Sequence, residues 1–126
     1  MLDRASIFAA PDLVTREVHV PEWGGSIFVR TLDGRARDEL DTFVAQRRAT
    51  NDLRGFRVKV VILSACDDKG ARIFTDADAE ALNGKSSVVM QRIEQAACAL
   101  NGIGGESLEQ AGADFPPTQP ASSGSA

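Results

Sequence analysis

Tyrosine is absent from this chain and tryptophan occurs once, as Trp23, so a core has to be built from Leu, Ile, Val and Ala with help from six phenylalanines. Histidine also occurs once, as His19. A single imidazole with two isolated cysteines excludes the usual zinc ligand sets, which need four clustered donors. Cys66 and Cys98 each stand beside alanine in an apolar setting, with no Cys-x-x-Cys spacing. They read as small buried hydrophobes rather than as a disulfide or a redox pair. No apolar run approaches the roughly 20 residues of a membrane-spanning helix, and the opening Met1-Leu2-Asp3-Arg4-Ala5-Ser6 has no stretch resembling a signal peptide. The expected location is therefore cytoplasmic. Basic surplus is lacking too. Fourteen Lys and Arg face eighteen Asp and Glu, a formal net charge of −4, which disfavours nucleic acid as a partner.

The chain has 126 residues, of which 43% are hydrophobic and 25% charged, the balance of one ordinary globular domain. Residues 3–10 suit a short helical turn ended by Pro11. Over residues 14–20, Val14, Val18 and Val20 alternate with Thr15, Glu17 and His19, the period of a half-buried strand. Pro21-Glu22-Trp23-Gly24-Gly25 breaks that strand, and residues 26–32 resume it, so the two form an antiparallel hairpin. A lone hairpin is marginal in water and needs a support.

Helices supply it. Asp33 is placed to N-cap a helix with Ala36, Leu40, Phe43 and Val44 on one face and Arg35, Asp38, Asp41 and Arg48 on the other. Residues 53–66 carry two signals. Leu53, Phe56, Val60 and Leu63 have helical spacing, while Val58, Val60, Val61 and Ile62 are β-branched; the length favours helix. Asp67-Asp68-Lys69-Gly70 reads as a turn. Thr75 opens a short helix with acids in its first turn, ended by Asn83-Gly84 as a left-handed terminator. Ser86 or Ser87 caps the last long helix, whose face is Val89, Ile93, Ala96, Ala97 and Leu100 and whose end is Asn101-Gly102. Phe43, Val60, Leu63, Val89 and Ile93 are expected to be buried together. The fold class is thus α+β, an N-terminal β-hairpin packed on a bundle of about four helices, over residues 1–102. Residues 103–126 hold only Ile103, Leu108 and Phe115 as large apolar groups. Ordering a residue costs about 1–2 kcal/mol of backbone entropy, and three buried side chains return roughly 1.5–3 kcal/mol each. A flexible Gly/Pro/Ser-rich tail is expected there.

Chemistry finds little footing. His19 has no nucleophile and no orienting acid at a suitable spacing, so no catalytic residue is assigned. Placing Gly70 at the glycine position of a calcium loop puts Ala65 and Lys69 at ligand positions, which fails. No cofactor is implied. Residues 75–99 resemble a helix-turn-helix, but Lys85 and Arg92 are thin for reading DNA. Trp23 in a loop tip, and Leu108 and Phe115 in the tail, are the candidate partner-binding side chains.

Taken in order, Val20-Pro21-Glu22-Trp23-Gly24-Gly25, the strand with Val29-Arg30-Thr31-Leu32, the helix opening Arg37-Asp38-Glu39-Leu40, then Asp67-Asp68-Lys69-Gly70, Phe74-Thr75-Asp76-Ala77-Asp78 and Leu100-Asn101-Gly102 resemble the tail assembly chaperones of long-tailed bacteriophages and their prophage relatives. The resemblance covers about residues 15–105. It implies a non-enzymatic protein that binds the tape-measure protein, keeps it soluble and helps tail-tube subunits polymerise around it, with self-association compatible. In many such phages a ribosomal frameshift adds a longer product. The competing expectations are a small virion structural protein, such as a connector or tail subunit, and the DNA-binding reading.

Overall fold

The computed structural model describes residues 1–103; Leu108, Phe115 and the tail expected around them lie outside the described residues. In chain order the elements are α1 (Arg4–Ala9), β1 (Thr15–Val20), β2 (Gly25–Arg30), α2 (Gly34–Ala49), α3 (Phe56–Ser64), β3 (Ala65–Cys66), α4 (Ala79–Asn83) and α5 (Ser87–Leu100). The expected α+β architecture is present. One three-stranded antiparallel sheet, in the order β1-β2-β3, packs on α3 and α5, and α2 and α4 pack against α3.

The hairpin register runs from Thr15 opposite Arg30 to Val20 opposite Gly25. Its turn is a short 3-10 segment, Pro21–Trp23, closed by Gly24 at φ +82, a left-handed value that suits glycine. Val18 and Val20 point into the core as their alternation requires. Val14 does not: it precedes the strand and its side chain is exposed, while its backbone is held to Thr31, the carbonyl accepting from Thr31 N at 2.8 Å and the N–H donating to Thr31 Oγ1 at 3.2 Å. The expected inward face therefore begins at Val18.

Asp33 caps α2 by accepting from Ala36 N at 2.8 Å. Ser86 caps α5 by accepting from Val89 N at 3.4 Å, and Thr75 with Asp78 forms a reciprocal capping box. Residues 53–66 resolve into helix α3 followed by the two-residue strand β3, which pairs Phe28 with Cys66 and Val29 with Ala65. Seven of the nine residues in α3 are buried, so β-branched side chains are tolerated there because tertiary burial outweighs their propensity. The Asp67 carboxylate accepts from Lys69 N at 2.8 Å and Ala71 N at 3.0 Å, which makes the acidic stretch a self-satisfied turn.

Two further expectations are corrected. Gly84 has φ −85, not a left-handed value; the five-residue α4 ends by tightening, with Gly84 N donating to Ala81 O at 3.1 Å and Lys85 N to Leu82 O at 3.0 Å. Phe43 is only partly buried and lies at the rim. Its ring is covered by the Arg47 guanidinium at 4.8 Å and the Lys59 ammonium at 6.0 Å, so it faces charge rather than the core centre. Val60, Leu63, Val89 and Ile93 do form that centre, packing α3 against α5.

Asn101 ties the end of α5 to the sheet. Its Oδ1 accepts from Leu32 N at 2.7 Å, and its Nδ2 donates to Arg30 O at 3.2 Å and Ala97 O at 2.9 Å. The next turn closes with Ile103 N donating to Cys98 O at 2.8 Å, and Ile103 is itself buried.

Candidate binding surfaces

Apart from Val88 on α5, the exposed large apolar side chains of the described residues fall in two places. The first is the N-terminal arm. Asp3 caps α1 by accepting from Ser6 N at 2.8 Å, yet α1 buries none of its residues. Leu2, Ile7 and Phe8 are 72%, 52% and 74% exposed, and Leu13 and Val14 follow at 50% and 57%. Five large apolar side chains on one short segment exceed the scattered exposure of an ordinary surface. Arg4 lies over the Phe8 ring at 4.9 Å and leaves its other face open.

The second is a cleft of about 280 Å³ at the hairpin turn, lined by Val20, Trp23, Ile27, Ile73 and Phe74 among others. Trp23 is 36% exposed and Ile73 45%. The turn that carries Trp23 is clamped to α5 by a two-pronged pair, in which Arg92 Nη1 and Nη2 donate to the Glu22 carboxylate at 2.7 Å each. These hydrogen bonds hold the Glu22 carboxyl down at about 2 against an ordinary 4.5. Lys85 stands 6.0 Å from the Trp23 ring centroid.

The Glu22 shift has a pH consequence. The folded state gives up its proton more readily than the unfolded chain, so the pair's stabilisation is fully present above about pH 4.5 and is lost as pH falls towards 2. Glu22→Gln is expected to flatten that part of the stability profile while leaving it unchanged in shape above pH 5, measured by urea midpoints across pH; an unaltered acid limb contradicts the pairing. The same clamp bears on DNA. Arg92, one of the two basic groups available to a recognition helix, is already committed to Glu22.

His19 Nδ1 lies 3.3 Å from Ser26 Oγ, an exposed cross-strand pair rather than an assembled triad. Cys66 is buried and its thiol is raised in pKa, chiefly by burial. The Cys98 thiol is pushed up to about 11, first by burial and then by Glu94, so both stay protonated and packed. Among the described residues no group of three or more His, Cys, Asp or Glu is placed to hold a metal ion, and no helix is long and apolar enough to cross a membrane.

Of the candidate residues, Trp23 is placed at a cleft, while Leu108 and Phe115 lie outside the described residues. Ile73 and Phe74 complete that cleft; Ile73 had no sequence signal, and Phe74 appeared only within the motif that precedes α4. The arm had none either: residues 3–10 suit a short helical turn, and Val14 shares the alternation of Val18 and Val20.

These features define a small α+β protein whose described residues leave apolar side chains exposed around a conventionally packed core. Among solved structures the chain is similar to the tail assembly chaperone of bacteriophage HK97, with a TM-score of 0.56 and 22% sequence identity over 76% of this chain and 90% of that chain. The resemblance expected from the residues is thus met at the level of the fold. No family model and no curated protein matches this sequence.

Proposed function

We propose that this chain is a phage tail assembly chaperone that binds the tape-measure protein in the host cytoplasm and helps tail-tube subunits assemble around it, without catalysing a reaction. The observation that carries this reading is the fold shared with the HK97 chaperone across 90% of that chain. The exposed arm and the Trp23 cleft support it, because a holdase has to offer apolar surface to a client without burying it in its own core. A long tape-measure chain exposes apolar helical stripes until tube subunits cover them. Masking those stripes and later releasing them calls for many modest contacts rather than one tight site. The net charge of −4 would help such a coated complex stay in solution.

Co-expression with the tape-measure protein of the same phage tests this. The tape-measure chain is expected to remain in the soluble fraction and to co-purify with this protein, and purified particles should lack it. Equal tape-measure solubility with and without it, and no complex, would sink the proposal. Its recovery from finished particles would instead mark a virion structural component.

A further inference from the structure

We infer that the free edge of β1 pairs antiparallel with the same edge of a second copy of this chain, about a two-fold axis at Val18. Strand β1 ends the sheet and has β2 on one side only. Thr31 N donates to Val14 O across the hairpin, which makes Val14 and Thr31 a hydrogen-bonded pair. In an antiparallel ladder such pairs recur at every second residue. Arg16, Val18 and Val20 therefore direct their backbone groups to β2, and Thr15, Glu17 and His19 direct theirs away from it. Among the described residues, the backbone N–H and C=O groups of those three have no hydrogen-bond partner, and all three residues are exposed. Natural sheets blunt such an edge with proline, a bulge or a covering segment. Strand β1 has no proline between Pro11 and Pro21, and its register with β2 is unbroken from Thr15 to Val20.

The ladder pattern restricts how two such edges can meet. Residues with outward backbone groups must stand opposite each other, so the axis passes through a residue and not between two. Only two such axes pair most of the strand. One at Glu17 pairs Thr15 to His19 with their copies, and one at Val18 pairs Arg16 to Val20. The axis at Glu17 sets two Glu17 carboxylates directly opposite each other, which is repulsive. The axis at Val18 sets Glu17 opposite the second copy's His19, and His19 opposite its Glu17. With Ser26 Oγ donating to His19 Nδ1, 3.3 Å away, Nε2–H of the ring is free to donate to that carboxylate. The same contact forms twice, as a two-fold interface requires. These are also hydrogen-bonded positions of the new ladder, so each pair closes two main-chain bonds. On the other face Val18 meets its own copy at the closer, non-hydrogen-bonded spacing, and the buried face of Val18 and Val20 continues across the axis. Arg16, exposed near the start of the strand, stands opposite the second copy's Val20 and meets no like charge. The charges that block one register thus select the other.

Sedimentation velocity of the full chain at pH 7, over a concentration series, tests this. The mass is expected to rise from the 13.4 kDa of one chain to twice that value and no further, because a two-fold contact closes. Glu17→Lys removes the acceptor and His19→Glu sets two carboxylates opposite each other, so each is expected to weaken the dimer about tenfold. Combining the two substitutions in one chain restores an opposite-charge pair at both positions. The dissociation constant is then expected to return to within about threefold of the parent. With the axis at Glu17, the combined variant would set two lysines opposite each other and rescue nothing. Both positions are exposed, so urea midpoints of the dilute variants are expected to match the parent. A mass that stays at 13.4 kDa at every concentration overturns the inference. So does association that the single substitutions leave intact, which would assign it to the apolar arm, or a combined variant as weak as the single ones. The tape-measure protein takes no part in these measurements, so this inference and the chaperone proposal fail separately.

Discussion

Ile93→Ala is expected to lower the stability of the protein by about 2–5 kcal/mol, the range for truncating a fully enclosed aliphatic side chain. Ile93 is 0% exposed, on the face of α5 that packs against α3, with Val89 and Ala97 beside it and Leu63 among the core residues opposite. The vacated volume has no route to solvent, and the surrounding helices are held at both ends, by Ser86 at the start of α5 and Asn101 at its finish. Collapse around the cavity is therefore limited. Small domains have about 5–15 kcal/mol in total, so this one change removes a large fraction. Phe43→Ala supplies the contrast. Its ring is larger, but it lies at the rim beneath Arg47 and Lys59, and the loss is expected to be about 1–2 kcal/mol, roughly half the value of full burial. Urea unfolding of the two variants, compared at constant slope, measures both. A Phe43→Ala loss exceeding that of Ile93→Ala would mean that α2 and not α5 anchors the core.

That inversion shows where the sequence was legible. Asp33, Thr75 and Ser86 stood at helix starts with the side chains that cap them, and each caps as its chemistry demands. The alternation at Val18 and Val20 and the Pro-Glu-Trp-Gly-Gly break gave the hairpin directly. Long-range features were not legible. Strand β3 is two residues long, too short to show a period, and exists because β2 offers it an edge. Asn101 looked like half of a helix terminator, whereas its amide bonds residues 69 and 71 positions away. Phe43 has the correct spacing for the core face of α2, yet spacing cannot distinguish the centre of an interface from its rim. The candidate surface divides in the same way. Trp23 drew notice as an aromatic in a turn, but its cleft needs Ile73 and Phe74, delivered from 50 residues further along by the Asp67–Gly70 turn.

The arm variant Leu2→Ser/Ile7→Ser/Phe8→Ser should separate folding from client binding more sharply than any core change. None of the three side chains is buried, and the cap from Asp3 to Ser6 survives the substitutions, so urea and thermal midpoints are expected to stay at the parent values. Client retention is expected to collapse. Each of these residues, if covered by a tape-measure stripe, contributes up to about 1.5–3 kcal/mol of apolar burial. Even one third of that sum weakens each contact by roughly tenfold or more. Because the client is held by many copies with modest individual affinity, a tenfold loss per contact strips the whole coat. The soluble tape-measure fraction in co-expression should then fall to the level seen without the protein. Trp23→Ala run in parallel assigns the loss to one surface or the other. If the arm variant keeps the client soluble and Trp23→Ala does not, the cleft is the client-binding surface and the arm is not. If both variants retain the client fully while the parent chain forms the complex, neither apolar surface carries it.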